Sequence, residues 1–314
     1  MFGTRVEVAV YGEDPALAHT AMAAVLREFD RLHRQYHAWE PSELTRLNAA
    51  IAAGEPFRVS DELQALLLTA QAVAVKSDGL FDPALGKLIQ LWGFHTDTFL
   101  SRLPDPDAVQ AVLATRPRME DLTIAGNEVH SINRNVQLDF GGYVKGYALD
   151  RAAAILREHQ ITSALVNIGG NVIALGQKGA QPWRIGIQHP REPGILASLP
   201  LYDGEAVGTS GDYQRYFEVD GVRYAHLLDP RTGRPAQGTV SLTVLVTAQP
   251  RSGMLSDVLS KPAYIAGEHW QEQTRRFDVK HALRVADDGR IEVTRALRAR
   301  LKLASDVTVT TVED

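Results

Sequence analysis

The sequence predicts an α+β fold, mostly antiparallel sheets with flanking helices, and three observations carry that expectation. Strand-like and helix-like patterns interleave along the chain, with no internal repeat, low-complexity tract or clear linker. A short loop containing Gly126-Asn127 and the dipeptide Asp220-Gly221 each stand between brief apolar segments and read as hairpin turns. Val240 to Thr247 is a nearly continuous apolar run of strand length. With 314 residues, 45% of them hydrophobic, the chain can bury a large core as one domain over residues 1–314 or as two intimately joined lobes.

The elements follow in order. Arg5 to Tyr11 alternates as a strand, and Asp14 to His37 places apolar residues at helical spacing. Ser60 caps a helix that runs to about Ser77, where Asp78-Gly79 breaks it. Pro83 to Trp92 and Asp105 to Ala114 read as shorter helices. Leu122 to Ile124 and Val129 to Ile132 form the first hairpin. Val136 to Phe140 reads as a strand, Lys145 to His159 as a helix and Ser163 to Ile168 as another strand. Short β segments follow near Trp183 to Gln188 and Ala206 to Thr209. Phe217 to Val219 and Arg223 to His226 flank the second hairpin turn. Met254 to Ala266 is a helix that Pro262 is expected to interrupt, and a mixed αβ tail completes the chain.

Composition excludes several classes of function. A net charge of −5 argues against a general nucleic-acid binder, which needs a concentrated basic face. The basic clusters Arg275-Arg276 and Arg295 to Lys302 read as solvated helix faces. Cysteine is absent, so disulfides and thiolate catalysis are excluded, and either redox compartment remains compatible. No stretch reaches the roughly 20 apolar residues of a membrane span, and no signal peptide precedes Met1-Phe2-Gly3-Thr4. His33, His37, His95 and His189 do not stand at metal-ligand spacing.

One segment concentrates chemical signals. Leu138-Asp139-Phe140-Gly141-Gly142-Tyr143-Val144-Lys145 is an apolar run that breaks on paired glycines and restarts as a helix carrying a lysine. Such a turn lets backbone N–H groups and an ammonium face one anion. Four further motifs follow: Val166 to Asn171, Thr209-Ser210-Gly211-Asp212-Tyr213, His226 to Gly233, and Ser256-Asp257-Val258-Leu259-Ser260-Lys261. His226 is a candidate general base, since an unperturbed imidazole titrates near neutrality, and Asp229 three residues on could orient its surroundings. A lone histidine is more often structural.

In this order and spacing the motifs resemble the ApbE family, the FAD:protein FMN transferases. Pro41 to Asn48 and Phe81-Asp82-Pro83 through Leu91-Trp92-Gly93-Phe94 look like that family's two early signatures, so the resemblance runs from about Phe2 to about Gly267. It implies an ApbE-like fold and transfer of FMN from FAD to a threonine of an acceptor flavoprotein. Two alternatives stay open: an FAD-binding protein without transferase activity, and an FAD pyrophosphatase giving FMN and AMP. The resemblance also implies a periplasmic protein, commonly lipid-anchored through an N-terminal cysteine, whereas this sequence has no cysteine. Both an exported form with its leader trimmed and a retained form fit.

The resemblance implies the roles of individual residues. Lys145 steadies phosphate, Asp150 helps hold the adenosine end, and Gly141, Gly142, Gly169 and Gly170 let the ligand approach. Asn171 stands where relatives often carry aspartate. Thr209, Ser210, Gly211 and Asp212 lie against the flavin, Thr232 touches its phosphate, and His226 helps deprotonate the acceptor threonine. Trp39 is either a flavin-stacking ring or a core residue, while Trp92 reads as core. Mg²⁺ is implied at Asp257 and at the carbonyl of Gly142, with a threonine four residues after the aspartate as third ligand. Here that third place holds Lys261, whose ammonium donates hydrogen bonds and does not ligate cations. The i,i+4 spacing lets Lys261 pair with Asp257, either supplying its own charge in place of the ion or turning outward.

Overall fold

Strand Val6–Val10 pairs with Ala164–Ile168 at one edge of an eight-stranded sheet. The computed structural model describes residues 3–96 and 98–314, and the statements below concern those residues. From that edge the strands run Val6–Val10, Ala164–Ile168, Asn171–Leu175, Ala206–Gly211, Thr239–Val246, Ala282–Ala286, Ile291–Thr294 and Thr310–Val312. Neighbours are antiparallel except the last pair, so the α+β expectation holds. The chain divides into two compact units. The first holds residues through His33, Tyr143–Gly211 and Gln237–Asp314, and therefore this sheet. The second holds Arg34–Gly142 and Asp212–Ala236.

Alternation sorts the first unit's side chains between two faces of the sheet. Val172, Ala174, Val207, Leu245, Leu283 and Val285 share a core with Ile187, Leu196, Leu199 and Leu201 of a smaller sheet, whose strands are Trp183–Gln188, Ile195–Leu201 and Lys302–Leu303. The other face carries helices Val144–Glu158 and Ser252–Ile265. Glycine permits the close approach there. A Cβ on Gly208 would lie 2.3 Å from the Ser256 carbonyl oxygen, and one on Gly146 would lie 2.6 Å from both the Gly253 carbonyl and the Asp257 Cβ. The two helices therefore cross with their backbones nearly touching, which sets the start of one against Asp257 of the other.

In the second unit, helices Glu43–Ala53, Asp61–Lys76, Gly86–Leu91 and Pro106–Thr115 accompany a small sheet of Phe57–Arg58, Glu128–Ser131 and Leu122–Ala125. A hairpin of Tyr216–Val219 and Val222–Ala225 turns on Asp220 and Gly221, both in the left-handed region at φ 51° and 75°. Trp92, Phe94 and Phe217 are buried beside it; Trp92 and Phe217 stack with Tyr224 and with each other, and Phe94 stacks on Phe217. Trp92 is thus a core residue, with its indole N–H bonded to the Gly233 carbonyl at 2.7 Å.

Three local expectations need correction. Val136 to Phe140 is extended but forms only a bridge of Gln137 to Leu85, because its backbone groups are bonded elsewhere. Asn48 engages the Leu138 carbonyl at 2.9 Å and the Leu138 N–H at 2.8 Å, and Asp139 N–H bonds the Pro83 carbonyl. Pro262 does not interrupt its helix, which runs from Ser252 to Ile265. The missing N–H costs one bond, while the Lys261 ammonium reaches the Asp257 carbonyl in the preceding turn at 2.7 Å. The Pro41 to Asn48 motif opens an unforeseen helix, capped by a Ser42–Thr45 box and closed on left-handed Gly54.

Candidate active site

Asp257 lies at the centre of the first unit's polar cluster, 2% exposed on the helix Ser252–Ile265. One turn onward, the Lys261 ammonium donates to its Oδ1 at 2.5 Å and to its carbonyl at 2.7 Å. Its Oδ2 accepts the Gly146 N–H at 2.8 Å, in the first turn of helix Val144–Glu158. Burial pushes the Asp257 carboxyl up, but the charges of Lys261 and Lys145, the Lys261 hydrogen bond and the Gly146 N–H outweigh it and hold it below the usual range. The carboxylate thus pairs with one ammonium at a helix start and feels the charge of a second, Lys145, an environment that attracts anions.

A hydroxyl network ties this helix to the sheet. Ser210 and Ser260 share a hydrogen bond at 2.8 Å, and Ser260 donates to the Asp257 carbonyl at 2.8 Å. The Thr209 N–H donates to Asn171 Oδ1 at 3.2 Å, and its hydroxyl meets Thr243 at 2.9 Å. Gly169 and Gly170 form the turn between two sheet strands, where φ values of 59° and 95° favour glycine. Gly211 ends the strand Ala206–Gly211 opposite Ser241. Asp150 accepts the Gly253 and Met254 N–H groups at 2.8 and 2.9 Å, capping the neighbouring helix. Burial raises its pKa to about 6, against those two N–H bonds and the charge of Arg251.

The second unit holds the other candidates. The Trp39 indole N–H donates to Asp139 Oδ2 at 2.9 Å, and its ring lies 5.3 Å from that of His95. Asp139 Oδ1 accepts the Gly141 N–H at 2.7 Å, and Gly142 follows in the turn. Burial raises the Asp139 carboxyl above its ordinary value, opposed by those two bonds and by Arg215 and His37. The carbonyl of Arg215 contacts His226 Nδ1 at 3.2 Å. A carbonyl only accepts, so Nδ1 carries the proton and Nε2 keeps a lone pair. Phe94 meets the same ring edge-on at 6.3 Å. Asp229 engages Arg231 through both carboxylate oxygens, and the Arg215 carbonyl contacts the His226 ring. Thr232 is exposed and its hydroxyl accepts the Arg234 N–H at 3.3 Å; Asp212 begins the segment after Gly211.

Geometry therefore gathers Lys145, Asp150, Asn171, Thr209, Ser210, Asp257 and Lys261 within the first unit, and Trp39, Gly141 and His226 around Asp139 and Arg215 within the second. Sequence reasoning passed over Asp139, Arg215 and Ser260. Only Asp139 left a readable signal, a carboxylate inside an apolar run.

Among known proteins, the sequence pattern of the ApbE family matches residues 2–283. An FAD:protein FMN transferase of Rhodobacter capsulatus is 45% identical over 96% of this chain and 57% of its own length. The chain thus spans a little over half of that relative. An FAD:protein FMN transferase of Treponema pallidum is 34% identical, over 96% of this chain and 87% of its own. The crystal structure of an ApbE protein from Thermotoga maritima superimposes with a TM-score of 0.85 at 32% identity, covering 95% of this chain and 96% of that one.

Proposed function

Because this chain belongs to the ApbE family, we propose that it binds FAD and transfers FMN to a threonine hydroxyl of an acceptor flavoprotein. The threonine oxygen attacks the phosphorus on the riboflavin side of the diphosphate. A new P–O bond forms, the bond to the bridging oxygen breaks, AMP leaves with that oxygen, and the threonine proton passes to a base. The observation that carries this reading is the Asp257 cluster, where two lysine charges and a helix start surround one buried carboxylate.

In this reading Lys145 and the first N–H groups of its helix hold diphosphate oxygens, and the small residues Gly169, Gly170 and Gly211 leave room for the nucleotide. His226, with Nε2 as its lone-pair nitrogen, accepts the threonine proton. Trp39, fixed through its indole N–H, offers a flat face to the isoalloxazine. Asp150 acts at one remove, by fixing the helix that carries Asp257.

The Mg²⁺ that the resemblance implies does not fit the donor set around Asp257. Both carboxylate oxygens are engaged by N–H donors, and an ammonium lies 2.5 Å from one of them, where a hard dication would have to coordinate. No step of the proposed reaction is routed through a metal.

Incubation with FAD and a threonine-bearing acceptor peptide, read by mass spectrometry, tests the proposal. The expected product is the peptide plus FMN, with equimolar AMP. Free FMN and AMP without adduct would identify a pyrophosphatase, and tight FAD binding without product a flavin-holding protein.

A further inference from the structure

Lys261 is anchored unusually firmly for a lysine. Its side chain is 11% exposed, and two of its three N–H donors are fixed on Asp257, one on the carboxylate and one on the backbone carbonyl of the same residue. Asp257 is held in turn from the opposite side by Gly146 and through its carbonyl by Ser260. The crossing helices leave no space for retreat, since even a Cβ on Gly146 would collide with Asp257. The ammonium is therefore a charge at a fixed point, with a third N–H left to donate. Lys145 adds a second positive charge that Asp257 also feels, so the cluster of two lysines and one carboxylate is net cationic.

We propose that the Lys261 ammonium is the built-in counter-ion for the diphosphate of FAD, supplying at Asp257 the charge that a divalent cation would otherwise bring. The inference rests on the reading that this chain binds FAD. A fixed ammonium and a hard dication compete for the same carboxylate oxygen, and the tethered group has no concentration dependence to overcome. The chain accordingly binds FAD and processes it without added divalent metal, and Asp257 serves as the seat of the ammonium rather than as a ligand.

The test compares the full chain with its Lys261→Thr and Lys261→Arg variants. FAD affinity is measured by flavin fluorescence in EDTA and in millimolar Mg²⁺, and Mn²⁺ binding to the flavin-free proteins is read by electron paramagnetic resonance. The expected result for the unaltered chain is one FAD affinity in both buffers and no stoichiometric Mn²⁺. Lys261→Thr should lose on the order of 10- to 100-fold in FAD affinity in EDTA, the scale of a charged hydrogen bond, and recover it with Mg²⁺ while binding one Mn²⁺. Lys261→Arg, which keeps the charge, should stay insensitive to EDTA and guards against simple misfolding of the threonine variant. The inference is overturned if the unaltered chain takes up Mn²⁺ or needs Mg²⁺ for FAD, or if Lys261→Thr binds FAD equally well in EDTA. Absence of FAD binding throughout, with Mn²⁺ taken up only by Lys261→Thr, would sink the transferase reading and still support the exclusion of metal by Lys261.

Discussion

The indole N–H of Trp39 donates to Oδ2 of Asp139 at 2.9 Å, joining residues 100 positions apart in the chain. The same carboxylate accepts the Gly141 N–H, so one half-buried side chain fixes both an aromatic face and the glycine turn. Asp139→Ala strands both donors. The expected loss is about 1–2 kcal/mol of unfolding free energy by urea titration, with a shift in tryptophan emission. A loss no larger than that of an exposed substitution such as Glu218→Ala would refute the coupling.

His226 bears its lone pair on Nε2 because the Arg215 carbonyl contacts Nδ1. His226→Asn should lower FMN transfer by about 10²–10⁴-fold, the usual weight of a general base, with FAD affinity within a few-fold of the original. Transfer measured by adduct mass and binding measured by fluorescence separate the two effects, and an unchanged transfer rate would remove His226 from the reaction.

Gly146 and Gly253 mark the crossing of two helices. Gly146→Ala places a methyl group 2.6 Å from the Gly253 carbonyl and the Asp257 Cβ, which forces the helices apart. A cost of about 1–3 kcal/mol in thermal or urea unfolding is expected, although alanine has the higher helix propensity. A stabilised variant would contradict the close packing.

Two acids of the crossing helices give opposite pH dependences in separate windows. Asp150 has its folded pKa raised from 3.8 to about 6, so its contribution to stability is complete below 3.8 and is lost as pH rises through 6. Asp257 has its folded pKa lowered from 3.8, so its contribution is present above 3.8 and is lost as pH falls through the lower folded value. Urea midpoints across pH 2–7 should therefore show Asp150→Asn flattening the decline between 3.8 and 6, and Asp257→Asn flattening the loss below 3.8. A curve for Asp150→Asn parallel to the original would show that this carboxyl does not titrate as its burial requires.

Much of the architecture could be read from local chemistry, and where it could not, the reason was a distant partner. The hairpin at Asp220-Gly221 and the cap at Ser60 need only neighbours a few residues away, and both are found. The Asp257–Lys261 pair was visible as i,i+4 spacing, because one helical turn brings such residues together. Val136 to Phe140 misled because an amide from Asn48 occupies the backbone groups that a strand would have offered to a neighbour. Helix Glu43–Ala53 is also locally encoded, by the Ser42–Thr45 box at its start and by Gly54 at its end. Asp139 and Ser260 act through contacts 50 or more positions away, with Trp39 and Ser210 respectively, and Arg215 meets His226 across a hairpin, 11 positions away; no spacing rule reaches so far.

The order of strands in the large sheet sets a timetable for biosynthesis. Val6–Val10 is made well before Ala164–Ile168, the strand it pairs with, and Ala206–Gly211 waits for Thr239–Val246 to complete its outer side. Translation that stalls before Thr239 leaves that β edge open, with its N–H and C=O groups exposed to other nascent chains. Holdase chaperones and quality-control proteases should therefore meet this polypeptide chiefly in the interval before Thr239–Val246 has emerged.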